Sequence, residues 1–245
     1  MKKLALITGA NKGIGFETSR ALAQKGIKVL MGSRNEERGK AAVEQLQNEG
    51  LDVSYILLDI SDPESIKNAT TYMNSNYDTL DILVNNAGVV PEIEKGWTLH
   101  SIEDLSMDIL RSTFETNFFG AVDLARQLLP LLKKSTQGSI VNVSSILGSL
   151  TLASDEASGV YEIKTFAYNT SKAALNALTI HLAAALKDNG ISVNSAHPGW
   201  VKTDMGTDAA PMSVSEGAKT IVDLALNTNP EYTGRFVHMG EDIAW

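Results

Sequence analysis

Tyr168 and Lys172 stand four positions apart near the start of a long helix-forming stretch, 168–186, so one turn of helix puts both on the same face. A free phenol titrates near ~10 and needs a neighbouring cation to exchange a proton near neutrality; Lys172 supplies one. Of the six tyrosines only this one has a lysine four residues later. Upstream, Ser144 and Ser145 end an apolar run, where a hydroxyl can donate to a substrate carbonyl. Asn117 is an amide in an otherwise apolar helical stretch, Thr116-Asn117-Phe118-Phe119-Gly120. A buried amide must be hydrogen-bonded, so Asn117 belongs either to a site or to the repair of a helix kink.

A second group of residues suits a dinucleotide. Residues 8–15 read TGANKGIG, comprising Thr8, Gly9, Ala10, Asn11, Lys12, Gly13, Ile14 and Gly15. Without Cβ atoms at the three glycines the chain can turn tightly, bring backbone amides against a pyrophosphate and set the positive end of a helix behind it. A plain strand-to-helix connection is the alternative, whereas a P-loop lacks its Gly-Lys-Ser/Thr. Some twenty residues on, where NAD-binding proteins commonly carry an acid for the ribose 2′-hydroxyl, stand Ser33 and Arg34. A hydroxyl and a guanidinium suit a 2′-phosphate, with Lys12 as a second cation; otherwise Arg34 and Lys12 are solvated surface charges. Asp59, followed by Ile60, is placed either to accept from an adenine amine or to cap a helix starting near Asp62. Asn85-Asn86-Ala87-Gly88 either stitches neighbouring strands or lets the backbone approach a cofactor.

Positioning these groups requires a sheet. Short apolar runs at 4–8, 28–32, 53–58, 82–85, 139–144, 192–197 and 235–238 alternate with longer amphipathic stretches. That alternation predicts an α/β chain: a single Rossmann-like doubly wound domain over residues 1–245, its seven-stranded parallel sheet flanked by helices on both faces. The irregular stretches 89–101, 146–167 and 203–212 each follow a predicted strand, and ligands of open α/β sheets sit at that edge, so these are candidate walls of one site. Trp97, Trp200 and Met205 lie in or beside them, while Trp245 reads as an anchor and 104–115 as a solvated helix face.

Composition excludes several function classes. With 29 acidic and 21 basic residues the formal charge is −8, which speaks against nucleic acid. There are no cysteines, His100, His181 and His238 lack ligand-like spacing, and His197, before Pro198 at a strand end, reads as structural or cofactor-side rather than as a ligand, so no metal is expected. No window approaches the ~18 apolar residues of a membrane span, and the apolar run after Lys3 is too short for secretion, leaving a cytoplasmic protein as the expectation.

In the right order over essentially the whole chain, the glycine turn, Asn-Asn-Ala-Gly, Asn117, the serine pair, Tyr-x-x-x-Lys and Pro198-Gly199 resemble the classical short-chain dehydrogenase/reductase family. TGANKGIG with Ser33-Arg34 and Trp245 looks like its NADPH-dependent carbonyl reductase branch. The resemblance implies reduction of an aldehyde, ketone or quinone with NADPH, NADH being the weaker cofactor. Tyr168 would be the general acid, Lys172 would bind the nicotinamide ribose and lower the phenol's pKa, Ser145 would polarise the carbonyl and Asn117 would hold a water. Asn86, Ala87 and Gly88 would line the cofactor; Pro198, Gly199, Val201 and Thr203 would flank the nicotinamide. Two other functions remain open: an NADP-dependent alcohol dehydrogenase working oxidatively, and a non-catalytic NADP(H) sensor. One departure is that Ser145 and Tyr168 lie 23 positions apart, about a dozen more than is common in the family. The helix from Tyr168 is apolar almost all round, with a narrow polar stripe through Lys172, Asn176 and Thr179, so either this insertion or another subunit covers it. A homo-oligomer is the expectation.

Overall fold

The computed structural model describes residues 2–92, 102–227 and 229–245. Trp97, His100 and most of the expected wall at 89–101 lie outside the described residues.

Strands β1 (Leu4–Thr8), β2 (Lys28–Ser33), β3 (Val53–Leu57), β4 (Ile82–Asn85), β5 (Ser139–Val143), β6 (Ser192–Ala196) and β7 (Phe236–His238) form one parallel sheet in the order β3-β2-β1-β4-β5-β6-β7. Every residue of β1, β4, β5 and β6 is buried, which is why β1 and β4 read as near-continuous apolar runs rather than as an alternation, while β5 and β6 bury Ser139, Asn142, Ser192, Asn194 and Ser195 as well. The alternation survives in three dimensions. Ala5 and Ile7 pack under α1 (Gly13–Gln24), α2 (Glu36–Asn48) and α8 (Val214–Leu226); Leu4 and Leu6 pack under α3 (Pro63–Asn76), α5 (Gly120–Leu132) and α7 (Phe166–Leu186). Two shorter helices, α4 (Met107–Phe114) and α6 (Leu150–Ser154), complete the set. The strand order reverses between β1 and β4, where such sheets open a crevice for ligands.

The sheet has an eighth strand that the seven-stranded expectation lacks. β8 (Glu241–Asp242) pairs antiparallel with β7 through Val237↔Asp242 and His238↔Glu241. Met239 (φ 49°) and Gly240 (φ 90°) form the two-residue turn, and positive φ at both positions is what a type I′ hairpin demands. A Met-Gly pair lacks the Asn-Gly signature, so the strand is silent in the sequence. Trp245 stacks on Phe236 with ring centroids 5.6 Å apart, and its carbonyl accepts from Thr151 N–H at 2.9 Å.

Helix α7 packs on the sheet through its polar side. Its polar stripe faces inward: Ser171, Lys172, Asn176 and Thr179 are buried, while Phe166, Ala177, Ile180 and Ala184 are exposed. Thr179 Oγ1 accepts from Asn142 Nδ2 and meets Ser195 Oγ, both at 2.8 Å, so β5 and β6 satisfy the stripe. The insertion covers the start of the helix instead. Val160 and Ile163 pack on Tyr168, and Asn169 Nδ2 donates to Ile163 O at 2.8 Å.

Candidate active site

The glycine turn leaves β1 at the switch point. Gly9 (φ 63°) and Gly13 (φ 57°) take left-handed conformations, and a Cβ on Gly15 would run into Asn86 Nδ2 and the Gly9 carbonyl. Asn86 holds the turn, donating through Nδ2 to Thr8 O at 2.8 Å and Gly9 O at 3.2 Å. The Thr8 hydroxyl accepts from the amides of Asn86 and Ala87, both at 2.9 Å. Of the two readings of Asn-Asn-Ala-Gly, the side chains therefore serve the stitching one. Helix α1 starts at Gly13 with no side-chain cap from Lys12, so its N-terminal amides suit an anion such as a pyrophosphate.

Of the expected 2′-phosphate group, Arg34 is exposed at the end of β2, whereas Ser33 is buried and its hydroxyl donates to Asn35 O at 3.1 Å. Lys12 ion-pairs with Asp204 across the groove. The Lys12 ammonium, aided by Arg38, holds the Asp204 carboxyl below its ordinary range. Arg38, one helical turn beyond Arg34, is thus a further cation near this rim that the sequence reading passed over. Asp59 Oδ1 accepts from Ser61 N at 3.0 Å and Ser61 Oγ at 2.7 Å, while Asp62 caps α3 by accepting from Glu64 N at 3.0 Å. Capping, the alternative role of Asp59, therefore falls to Asp62; Ile60 beside it is buried.

From β5, Ser145 enters a turn in which its hydroxyl accepts from Leu147 N–H at 3.2 Å. It also hydrogen-bonds Tyr168. Burial pushes the phenol up to about 12, an effect that the bond to Ser145 only partly offsets. Lys172 Nζ donates to Val143 O at 2.8 Å and lies 5.6 Å from the centroid of the Tyr168 ring; burial brings its pKa down to about 8. In this arrangement burial, not the ammonium, sets the phenol's proton affinity. Val90, Ile146, Leu147, Val160, Ile163 and Met205 pack around Tyr168, giving the hydroxyl an apolar setting.

Asn117 lies in a π-helical turn, Glu115–Phe119, where the ladder holds one extra residue. Its side chain does not mend that turn. It donates to Val89 O at 2.9 Å and Ser171 Oγ at 3.0 Å, and accepts from Val89 N–H at 2.8 Å. A Cβ on Gly88 would lie 3.4 Å from Lys172 Nζ and 3.5 Å from Asn117 Oδ1, so Gly88, Asn117 and Lys172 converge.

At the end of β6, Pro198 and Gly199 (φ 89°) lead into a loop in which Val201 bridges to Met212 and Thr203 Oγ1 accepts from Gly206 N–H at 3.1 Å. Thr203 Cγ2 is 3.5 Å from where a Gly13 Cβ would be, so the loop rests on the glycine turn. Trp200 is exposed and its ring N–H donates to Gly206 O at 2.7 Å. Sequence reasoning gave His197 a structural or cofactor-side role and Glu92 none. His197 Nδ1 accepts from Ile146 N–H at 3.3 Å, tying β6 to the residue after Ser145, and burial, with His238 4.9 Å away, pushes its pKa down to about 3. Glu92 reaches the first turn of α7. Among the described residues no three His, Cys, Asp or Glu side chains could hold a metal, and no helix is long and apolar enough to cross a membrane.

A phenol, a hydroxyl and an amine buried at the same sheet edge as a glycine turn put the molecule in the class of nicotinamide-type oxidoreductases on a doubly wound sheet. The pattern of the short chain dehydrogenase family matches residues 3–213, and the chain belongs to that family. It is 36% identical to carbonyl reductase 1 (NADPH) of Mus musculus, covering 92% of this chain and 91% of that one. It is 32% identical to (+)-neomenthol dehydrogenase of Capsicum annuum, covering 98% and 96%. The fold is similar to that of an NADPH-bound carbonyl reductase from chicken fatty liver, with a TM-score of 0.86 and 28% identity over 100% of this chain and 94% of that one.

Proposed function

We propose that the protein is an NADPH-dependent reductase of aldehydes, ketones or quinones, with Tyr168 as general acid. The observation that carries this reading is the buried phenol bonded to Ser145, with the Lys172 ammonium 5.6 Å from its ring centroid, among apolar side chains. A phenol raised to about 12 is protonated throughout the neutral range, as a donor to a carbonyl oxygen must be. Ser145 orients that oxygen, and the Lys172 ammonium, charged below about 8, favours negative charge developing on it. Asn117 fixes the segment after β4 against α7. The uncapped start of α1, the amides of residues 8–15 and the cations Lys12 and Arg34 fit a dinucleotide diphosphate with a 2′-phosphate, and Asp59, Ile60, Ala87, Gly88, Pro198, Gly199, Val201 and Thr203 line the rest of its path. When bound, reduced nicotinamide supplies the hydride, chemistry that no side chain offers.

The names of the relatives support NADPH and a carbonyl substrate, and the neomenthol dehydrogenase supports the oxidative direction as a second reading. The exposed Phe166 (37%) and Ile180 (44%) on α7 support a homo-oligomer, which light scattering tests. The deciding experiment follows NADPH oxidation against quinones, α-dicarbonyls, aromatic aldehydes and cyclic ketones. The native enzyme is expected to turn over at least one class, and Tyr168→Phe to lose about 100-fold or more in kcat with NADPH affinity unchanged. NADPH binding without turnover on any carbonyl would favour the sensor instead.

A further inference from the structure

We propose that Glu92 is a positioning residue for Tyr168: reaching across from the segment after β4, its carboxylate holds the first turn of α7 and so fixes where the phenol stands over the reacting oxygen. The inference rests on the reading of Tyr168 as proton donor.

Glu92 is 7% exposed. One carboxylate oxygen accepts from Ala167 N–H at 3.1 Å and the other from Tyr168 N–H at 2.9 Å. Such first-turn amides lack partners inside the helix and are normally satisfied by the residue just before it. Here that residue, Thr165, makes no cap bond; its hydroxyl donates instead to Asn169 Oδ1 at 2.8 Å. The cap therefore comes from 76 positions upstream. A carboxylate is well matched to the positive end of a 21-residue helix.

What the distant cap adds is a linkage. Residues 88–92 touch every member of the proton-transfer group that α7 and the π-helical turn provide. Gly88 lies against Lys172 Nζ and Asn117 Oδ1, both polar groups of the Val89 backbone are bonded to Asn117, Val90 packs with Leu147 and Tyr168, and Glu92 holds the Tyr168 amide. The Glu92 bond is made to the main chain of the reacting residue itself. A shift there passes to the phenol through one Cα, and misplacement by about 1 Å costs an enzyme on the order of 100-fold.

The test compares the full-length enzyme with Glu92→Ala and Glu92→Gln. Three quantities are measured: amide hydrogen exchange at residues 167 and 168, NADPH affinity, and kcat and KM for an o-quinone with NADPH and with 4-deuterated NADPH. In Glu92→Ala both amides are expected to exchange at least about tenfold faster. Turnover per NADPH-binding site is expected to fall about 10- to 100-fold with a larger deuterium isotope effect, while NADPH affinity changes by less than about threefold. Glu92→Gln keeps one acceptor oxygen where two amides need one each, so one amide should exchange faster and kcat should fall between those of Glu92→Ala and the native enzyme. A residue that merely stabilised the fold would lower the melting temperature and leave turnover per binding site untouched, and that result overturns the proposal. So does native exchange at both amides in Glu92→Ala. If Glu92→Ala does not fold, Glu92→Gln decides alone: unchanged exchange and kcat overturn the proposal, whereas faster exchange at one amide with reduced kcat supports it. A native enzyme that reduces no carbonyl would sink the reading of the site, while the exchange data would still report whether Glu92 holds the Tyr168 amide.

Discussion

Replacing Lys172 by methionine should make the protein more stable and, at the same time, inactive. Lys172 is 4% exposed, and burial lowers its pKa from 10.5 to about 8. At about 1.4 kcal/mol per tenfold change in proton affinity, the charged form is disfavoured in the folded state by about 3 kcal/mol. The unfolded chain holds this proton more tightly, so it binds more protons than the native state between about 8 and 10.5. Stability therefore rises with pH across that window, and the full cost is felt only below it. Lys172→Met keeps an unbranched side chain of similar length and removes the charge, forfeiting the hydrogen bond to Val143 O, worth about 1 kcal/mol. The balance is a gain of about 2 kcal/mol near neutrality, equivalent to about 4–8 °C in a chain of this size. Thermal unfolding of both proteins without cofactor, at several pH values from about 7 to 10.5, reads it directly. The variant should melt higher at neutral pH, with the gap closing as pH rises, and should not reduce carbonyls. An equal or lower melting temperature near pH 7, or a gap indifferent to pH, would show that the ammonium is not held at a cost.

The same two groups set the pH dependence of turnover. With the phenol at about 12 and the amine at about 8, kcat/KM for carbonyl reduction should be level through neutrality and decline above about 8 as Lys172 loses its proton. A rate that climbs through this range would contradict the assignment. At the other end of the site, Arg34→Asp should move preference from NADPH toward NADH by about tenfold or more, since a charge-assisted contact carries ~1.5–3 kcal/mol; unchanged selectivity removes Arg34 from the phosphate site. Gly120→Ala tests the packing behind Asn117. The new methyl would run into the carbonyl of Ile60, so urea unfolding should show a loss of about 3 kcal/mol or more, and a neutral result would mean that this contact yields easily.

What could be read from the sequence, and what could not, divides along a physical line. Buried parallel strands announce themselves as short runs with few or no charges, and the seven expected runs match the observed strands to within a residue at each end. Periodicity also says which residues of α7 share a face. It does not say which way the face looks: the narrow polar stripe through Lys172, Asn176 and Thr179 points at Asn142, Ser195 and Gly148. Polar residues turn inward when the interior has partners for them, and here the partners are residues of β5 and β6 and the turn after Ser145, none of them sequence neighbours.

The least visible groups are those that act on main chain. Asn117 is conspicuous as an amide among apolar neighbours, but its partners include the amide and carbonyl of Val89. His197 takes the amide of Ile146, and Glu92 takes those of Ala167 and Tyr168. Every non-proline residue offers the same amide, so no side-chain pattern marks these acceptors. The side chains proposed to react, by contrast, carry their chemistry in their letters, as Ser145, Tyr168 and Lys172 do. It follows that when such a site is moved to a new sequence, substitutions at Glu92 and His197 should be the hardest to anticipate, because what they hold in place is the backbone beneath the residues that a motif search would keep.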